Sequence, residues 1–240
     1  MVAVPIVLIS WGFILKQNDT GEEVLLKGIK ENLDYMHFSP LEMNDELSEK
    51  AFDNYLKYID GNKRFLLASD VEQLEVNRQK IDDQTLAGTY VFFDNTLNLI
   101  DRRIKECQTY YREILAEPFD FTKNDSVDFG EDLPYAQNES AMKERWRKYL
   151  KYNVMTRVAT ALDVENKKQS DSTNTDEIKT LSEIEVETRK AVLKNHNDWF
   201  ERLKKLERRE RLSTYVNAIT TLYDPHTTYF PPADKENFDI

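Results

Sequence analysis

The stretch FFDNTLNLIDRRIKECQTYYREILA, residues 92–116, carries the most regular pattern in this chain. Its apolar side chains alternate in steps of four and three residues, at Phe93, Leu97, Ile100, Ile104, Cys107, Tyr111 and Ile114. A period of 3.5 residues is typical of a coiled coil or a long bundle helix. Leu99 and Leu115 widen the apolar stripe, which favours packing against several helices of the same chain. A two-stranded dimer through this seam is the alternative.

Helical periodicity continues on both sides of this stretch. We predict a long central helix over about 89–116 and further helices at about 23–36, 44–59, 70–81, 138–163 and 176–222, the last broken near Ser213. Ser39 or Asn44 can cap the second helix, Ser69 the third in a capping box, and Asn138 the fifth. The expected fold is all-α, a multi-helix bundle of about seven helices.

Composition and charge exclude several classes of protein. The six glycines of the 240 residues stand alone, so the chain cannot build a glycine-rich phosphate loop. A net charge of −11 argues against nucleic acid as a partner. The one cation-rich segment, 202–211, is interleaved with glutamates, which is typical of a solvated helix face. A docking surface for an acidic partner is the alternative for that segment.

The sequence offers no recognisable catalytic, cofactor or metal site. Cys107 is the only cysteine, so no intrachain disulfide can form, and its apolar helical position predicts a buried, inert thiol. The histidines His37, His196 and His226 lie far apart, without ligand spacing for a metal. No serine-hydrolase elbow or zinc-binding helix motif occurs. We therefore expect no catalytic residue, no cofactor and no metal in this chain.

The N-terminus differs from the rest of the chain. Residues 2–15 are apolar apart from three positions, too short for a standard membrane span but suited to the core of a secretory signal. We interpret residues 1–16 as the remnant of a signal or an anchor that could tether the chain to a membrane. This interpretation predicts export to the periplasm or cell envelope. A buried N-terminal strand or helix is the alternative.

A proline turn closes the helical pattern near the other end, in Leu222-Tyr223-Asp224-Pro225-His226-Thr227-Thr228-Tyr229. Pro225 cannot donate a backbone hydrogen bond and disfavours helix at Asp224, whose side chain can close a turn. We interpret 17–222 as one helical domain and 223–240 as a turn and linker leading into a further domain. A simple helix stop with a tail is the alternative.

Three stretches together resemble the N-terminal region of tail-specific proteases, also called carboxy-terminal processing proteases. They are Phe65-Leu66-Leu67-Ala68-Ser69-Asp70-Val71-Glu72-Gln73, Asp120-Phe121-Thr122-Lys123-Asn124-Asp125 and Asp224-Pro225-His226-Thr227-Thr228-Tyr229. Their order and spacing resemble the long, periplasmic branch of that family, as does the Trp146 helix between the second and third stretches. The resemblance covers about residues 23–240.

The resemblance implies a helical domain that precedes a PDZ domain and a protease domain with a serine nucleophile and a lysine base. None of those catalytic residues can be placed in this chain, and Ser69 and His226 are interpreted as cap and turn residues. The implied role is a scaffold that limits substrate access for a protease acting on protein or peptide chain ends and that can dock an envelope adaptor protein. A stand-alone interaction module is the alternative function. We also expect the tail around Tyr229 and Phe230 to be mobile or to lie on a neighbour.

Overall fold

The chain folds into an all-α domain, as predicted. The computed structural model describes residues 19–231 apart from 131, 172 and 174, so the predicted signal or anchor segment 1–16 lies outside the described residues. Within the described part there are eight α-helices and one short 3₁₀ helix. These are α1 (Asp19–Met36), α2 (Asp45–Asp60), α3 (Ala68–Leu74), the 3₁₀ helix (Glu75–Asn77), α4 (Ile81–Ala87), α5 (Val91–Ala116), α6 (Glu139–Ser170), α7 (Leu181–Lys205) and α8 (Arg208–Thr220). None of the helices in this part is long and apolar enough to cross a membrane.

The predicted asparagine caps begin α2 and α6. Asn44 Oδ1 accepts a hydrogen bond from Leu47 N at 3.1 Å, and Asn138 Oδ1 accepts one from Ala141 N at 2.9 Å. Each side chain thereby satisfies a backbone donor that the first helical turn leaves unpaired. Of the two alternatives for α2, the structure selects Asn44 over Ser39.

Several predicted boundaries were wrong, among them the end of α6, which lies at Ser170 instead of 163, and the start of α7, which lies at Leu181 instead of 176. The predicted helix at 70–81 ends at Leu74, and a separate helix, α4, follows at Ile81–Ala87, which makes eight helices instead of seven. The break predicted near Ser213 lies at Leu206–Glu207, where Glu207 N donates to Glu210 Oε2 at 2.7 Å and begins α8. Ser69 is the second residue of α3 and does not cap it. The carboxylate of Asp70 does this instead, accepting Leu67 N at 2.8 Å.

Helix α5 packs against the chain's own helices, chiefly α6 and α7, with α3 beside it. Its seam residues Phe93, Ile104, Cys107 and Tyr111 are buried. The seam proposed for a dimer is therefore occupied within the chain, in agreement with the widened apolar stripe.

The core has two aromatic clusters, and α5 contributes to both. Near its start, Phe92 and Phe93 pack with Tyr55 of α2 and Tyr215 of α8, with ring centroids 5.1–6.4 Å apart. Near its end, Tyr111 packs with aromatic rings of α6 and α7, among them Trp146, His196 and Phe200. Aromatic pairs at such separations add stability beyond the area that they bury. The two clusters thus share one long helix as their common element.

Candidate functional site at the exit segment

The segment that leaves the last helix is residues 221–231, called the exit segment below. Helix α8 ends at Thr220, and the chain then turns at Asp224 and Pro225. Asp224 Oδ1 accepts His226 N at 2.7 Å, and Asp224 O accepts Thr227 N at 2.9 Å. The predicted turn is confirmed, with the aspartate side chain bonded two residues ahead as such turns require.

Asn217 holds the chain after this turn. Its Oδ1 accepts Tyr229 N at 2.6 Å, and its Nδ2 donates to Tyr229 O at 3.1 Å. One side-chain amide thus pairs with both backbone groups of Tyr229, much as a neighbouring strand would. Tyr229 is partly buried against the core and Pro231 is buried, whereas Phe230 stays 64% exposed. Asn217 of α8 thus gives Tyr229 a bonding partner within the chain, while the mobility expected of the tail stays a prediction.

The start of the exit segment contacts α2 and the α1–α2 connection. Asn54 of α2 donates to Ala218 O at 3.0 Å, and its Nδ2 lies 3.2 Å from Thr221 Oγ1. The ring of Tyr223 packs edge-on against His37 at 5.5 Å between centroids. The direction in which the chain leaves the bundle is therefore set by contacts on both sides of Asp224.

An exposed apolar patch adjoins the exit segment, here called the 35–41 patch. Phe38 is fully exposed, Tyr35 is 88% and Met36 79% exposed, and Leu41 is also exposed. Tyr223 connects the patch to the exit segment through His37 and through a hydroxyl 3.4 Å from Leu41 O. Neighbouring exposed apolar side chains of this size are characteristic of an interaction surface.

The residues singled out for chemistry do not come together. Ser69 is exposed on α3 and His226 is exposed in the turn. Cys107 is 1% exposed, its Sγ lies 3.4 Å from Arg64 O, and burial raises the pKa of its thiol to about 12. At neutral pH this thiol stays protonated, which agrees with the predicted inert state.

The histidines are also scattered. His37 packs on Tyr223, and buried His196 has Nδ1 2.8 Å from Val192 O, with a pKa lowered by burial. Among the described side chains, no group of three or more His, Cys, Asp or Glu is placed to hold a metal ion.

The cation-rich segment 202–211 is partly neutralised within the chain. Arg208 bonds Glu22 and Asp94, with its guanidinium over the ring of Phe93. Arg211 bonds Asp101 at 3.0 Å, and another cation, Lys204, bonds Glu201. The pairs of Arg208 and Arg211 tie α8 to α1 and α5, whereas the Lys204 pair lies within α7. The solvated-face interpretation accounts for them better than a docking surface does.

Sequence reasoning missed Asn217, the residue that defines the site. Its neighbours Val216, Ala218 and Ile219 are core residues of α8, so an asparagine among them stood out only as a polar interruption. Its partner lies 12 residues further along the chain, beyond a turn. No local spacing rule connects the two residues.

Comparison with known proteins adds two findings. Residues 29–233 match the family model described as the tail-specific protease N-terminal domain. The chain is also 24% identical over 205 residues to a tail-specific protease of Haemophilus influenzae. That alignment takes in 85% of this chain but 26% of the relative, so the chain spans about a quarter of the relative's length.

Proposed function

This chain belongs to the tail-specific protease N-terminal domain family, and on that premise we propose that it is the helical scaffold of a C-terminal-processing serine endopeptidase. In this role it shapes the access of unfolded or apolar C-terminal peptides to PDZ and Ser/Lys protease domains that follow residue 240. It contributes no catalytic residue itself. The match over residues 29–233 carries the proposal, since the relative is about four times as long as the matched part.

The exit segment supports a scaffold role. A domain that guides substrates must hold its neighbour at a fixed angle. The two hydrogen bonds between Asn217 and Tyr229 fix the first part of the linker, 223–240, on the bundle. The 35–41 patch lies beside that exit, joined to it through Tyr223. We propose that the first domain after the linker covers this patch and so removes Phe38 and Met36 from water.

The proposed setting is the periplasm or cell envelope. It is supported by the apolar run at 2–15, which suits an export signal or a tether, and by the family membership. Protein and peptide substrates reach the chain through its parent enzyme, and an envelope adaptor protein is a further proposed partner.

Hydrogen exchange tests the domain arrangement. In the longer protein, amides around 35–41 should exchange more slowly than in the 240-residue chain, and Phe38→Ser should reduce that difference. Val76→Ser is the control, since Val76 is 65% exposed and lies on the 3₁₀ helix outside the patch. Equal exchange at 35–41 in both proteins would refute the proposed contact.

Proteolysis tests the scaffold role itself. Two unfolded substrates that differ only in an apolar or a charged C-terminus are cleaved by the longer protein with and without residues 19–222. The scaffold proposal predicts that the preference between the two substrates changes when these residues are removed. Unchanged rates and preference, in a remainder shown by circular dichroism to be folded, would contradict it.

A further inference from the structure

A groove of about 370 Å³ opens on the surface of the bundle, and no residue of the exit segment lines it. Its walls come from three parts of the chain: the connection after α2, with Arg64; the α5–α6 connection, with Phe129 and Leu133; and the first half of α6, with Arg145 and Lys148.

Two arginines in the groove lack the partner that a buried cation usually has. Arg64 stacks on the ring of Tyr149, with 4.1 Å from guanidinium carbon to centroid. Arg145 donates to the carbonyls of Lys63 and Pro134, and burial lowers its pKa. Neither bonds a carboxylate. Among the described residues, every other arginine without an ion pair is exposed. Arg64 and Arg145 are therefore the two half-buried arginines without an ion pair, and both line this groove.

None of the three cations of the groove, Arg64, Arg145 and Lys148, bonds a carboxylate of the described residues. Lys148 on α6 forms no hydrogen bond or ion pair within the described part of the chain. The two lining carboxylates are already engaged, because Glu144 bonds Arg147 and Asp128 accepts Gly130 N at 2.7 Å. Desolvating a guanidinium that bonds no carboxylate costs free energy, and at Arg145 the nearby carboxylates of Asp60 and Asp128 offset only part of that cost, since its pKa is still lowered. A carboxylate delivered by a ligand would offset that cost at Arg64 and Arg145.

The groove also has an apolar side. Phe129 is 56% exposed and lines the groove together with Val127 and Leu133, and its ring centroid lies 5.2 Å from that of Tyr152. A ligand that matches the groove therefore combines negative charge with an apolar group. Guanidinium groups stacked on aromatic rings suit carboxylates, since the planar fork keeps its donors free at the edge.

We propose that this groove binds an extended acidic segment of a partner protein, in which carboxylate side chains flank an aromatic or aliphatic residue. The carboxylates face Arg64, Arg145 and Lys148, and the apolar side chain packs on Phe129. Charge complementarity carries this choice of partner, because the groove is cationic in a chain of net charge −11. The inference does not rest on a protease parent and can be tested on the 240-residue chain alone.

Fluorescence anisotropy with labelled, C-terminally amidated peptides tests the proposal. One peptide carries Glu-Phe-Asp-Leu, the second replaces both acids with Gln and Asn, and the third is the neutral peptide with a free terminal carboxylate. The acidic amidated peptide should bind saturably, at least tenfold more tightly than its neutral counterpart, and more weakly as salt rises. Tight binding of the third peptide alone would overturn the proposal in favour of recognition of a chain end.

Matched variants locate the binding. Lys148→Glu should weaken binding of the acidic peptide at least tenfold, and Phe129→Ser should weaken it several-fold. Lys194→Glu makes the same charge change at an exposed lysine of α7 outside the groove and should leave the groove's affinity within about twofold of wild type. Equal losses in Lys148→Glu and Lys194→Glu, or no saturable binding of the acidic peptide at all, would refute the proposal.

Discussion

Replacing Asn217 with alanine should release the exit segment while the bundle stays folded. The substitution removes both hydrogen bonds to Tyr229, at 2.6 and 3.1 Å. A hydrogen bond in a folded protein contributes about 0.5–1.5 kcal/mol net, so the two together hold Tyr229 by about 1–3 kcal/mol. Because 1.4 kcal/mol corresponds to a tenfold change in an equilibrium constant, the population of the state locally opened at Tyr229 should rise about 5- to 150-fold.

Hydrogen exchange at the Tyr229 amide measures this opening directly, since exchange from a locally opened state follows its population. The thermal midpoint of the domain should change little, because alanine is a better helix former than asparagine. Asn153→Ala is the matched control. It also removes a half-buried helical asparagine, whose Nδ2 donates only to Tyr149 O of its own helix. If the Tyr229 amide exchanges at the same rate in wild type and both variants, Asn217 does not hold the exit segment.

Three further predictions concern stability. Asp70→Asn should lower the free energy of unfolding by about 3–5 kcal/mol, because buried Asp70 bonds Arg103 at 2.7 and 3.0 Å. Asp53→Asn, which removes a carboxylate from an exposed ion pair, should lower it by less than about 1 kcal/mol. Urea denaturation measures both values. Burial raises the pKa of Asp60 from its usual 3.8 to about 6, so the folded state keeps a proton that the unfolded chain releases. Asp60 alone should therefore lower the free energy of unfolding by up to about 3 kcal/mol as pH rises from about 4 to 6, measured as the difference between wild type and Asp60→Asn at each pH; a difference that stays constant over this range would contradict the reasoning. Tyr215→Phe removes a buried hydroxyl that has no hydrogen-bond partner among the described residues and should be neutral or stabilise the domain by about 1 kcal/mol in thermal unfolding, so a marked loss would show that the hydroxyl is bonded.

The long helices could be predicted because their signals are local. The seam of α5 repeats over three heptads, and the asparagines that begin α2 and α6 bond within three residues of themselves. Periodicity of this length identifies a helix whatever packs against it.

Helix α4 could not be predicted because its support comes from elsewhere in the chain. Its seven residues are too few for a periodic pattern. Ser48 of α2 donates to Asp82 Oδ1 and accepts Asp82 N, and Gln84 Oε1 accepts Phe92 N of α5. The exit segment posed the same difficulty: its turn was predicted from Asp224 and Pro225, whereas the bonds from Asn217 depend on how the chain folds back.

Because Cys107 is buried, the rate at which its thiol is labelled can report how often the surrounding structure opens. Cys107 is the single cysteine, it lies in α5 between the two aromatic clusters, and the thiolate, which is the form that attacks a thiol reagent, is disfavoured there. A thiol reagent can therefore modify the protein only when the segments packed around Cys107, among them the connection that contains Arg64, separate from it. The labelling rate, compared with that of the unfolded chain, converts into the free energy of that separation without any engineered probe. Each variant discussed above can be ranked on the same scale by timing one chemical reaction.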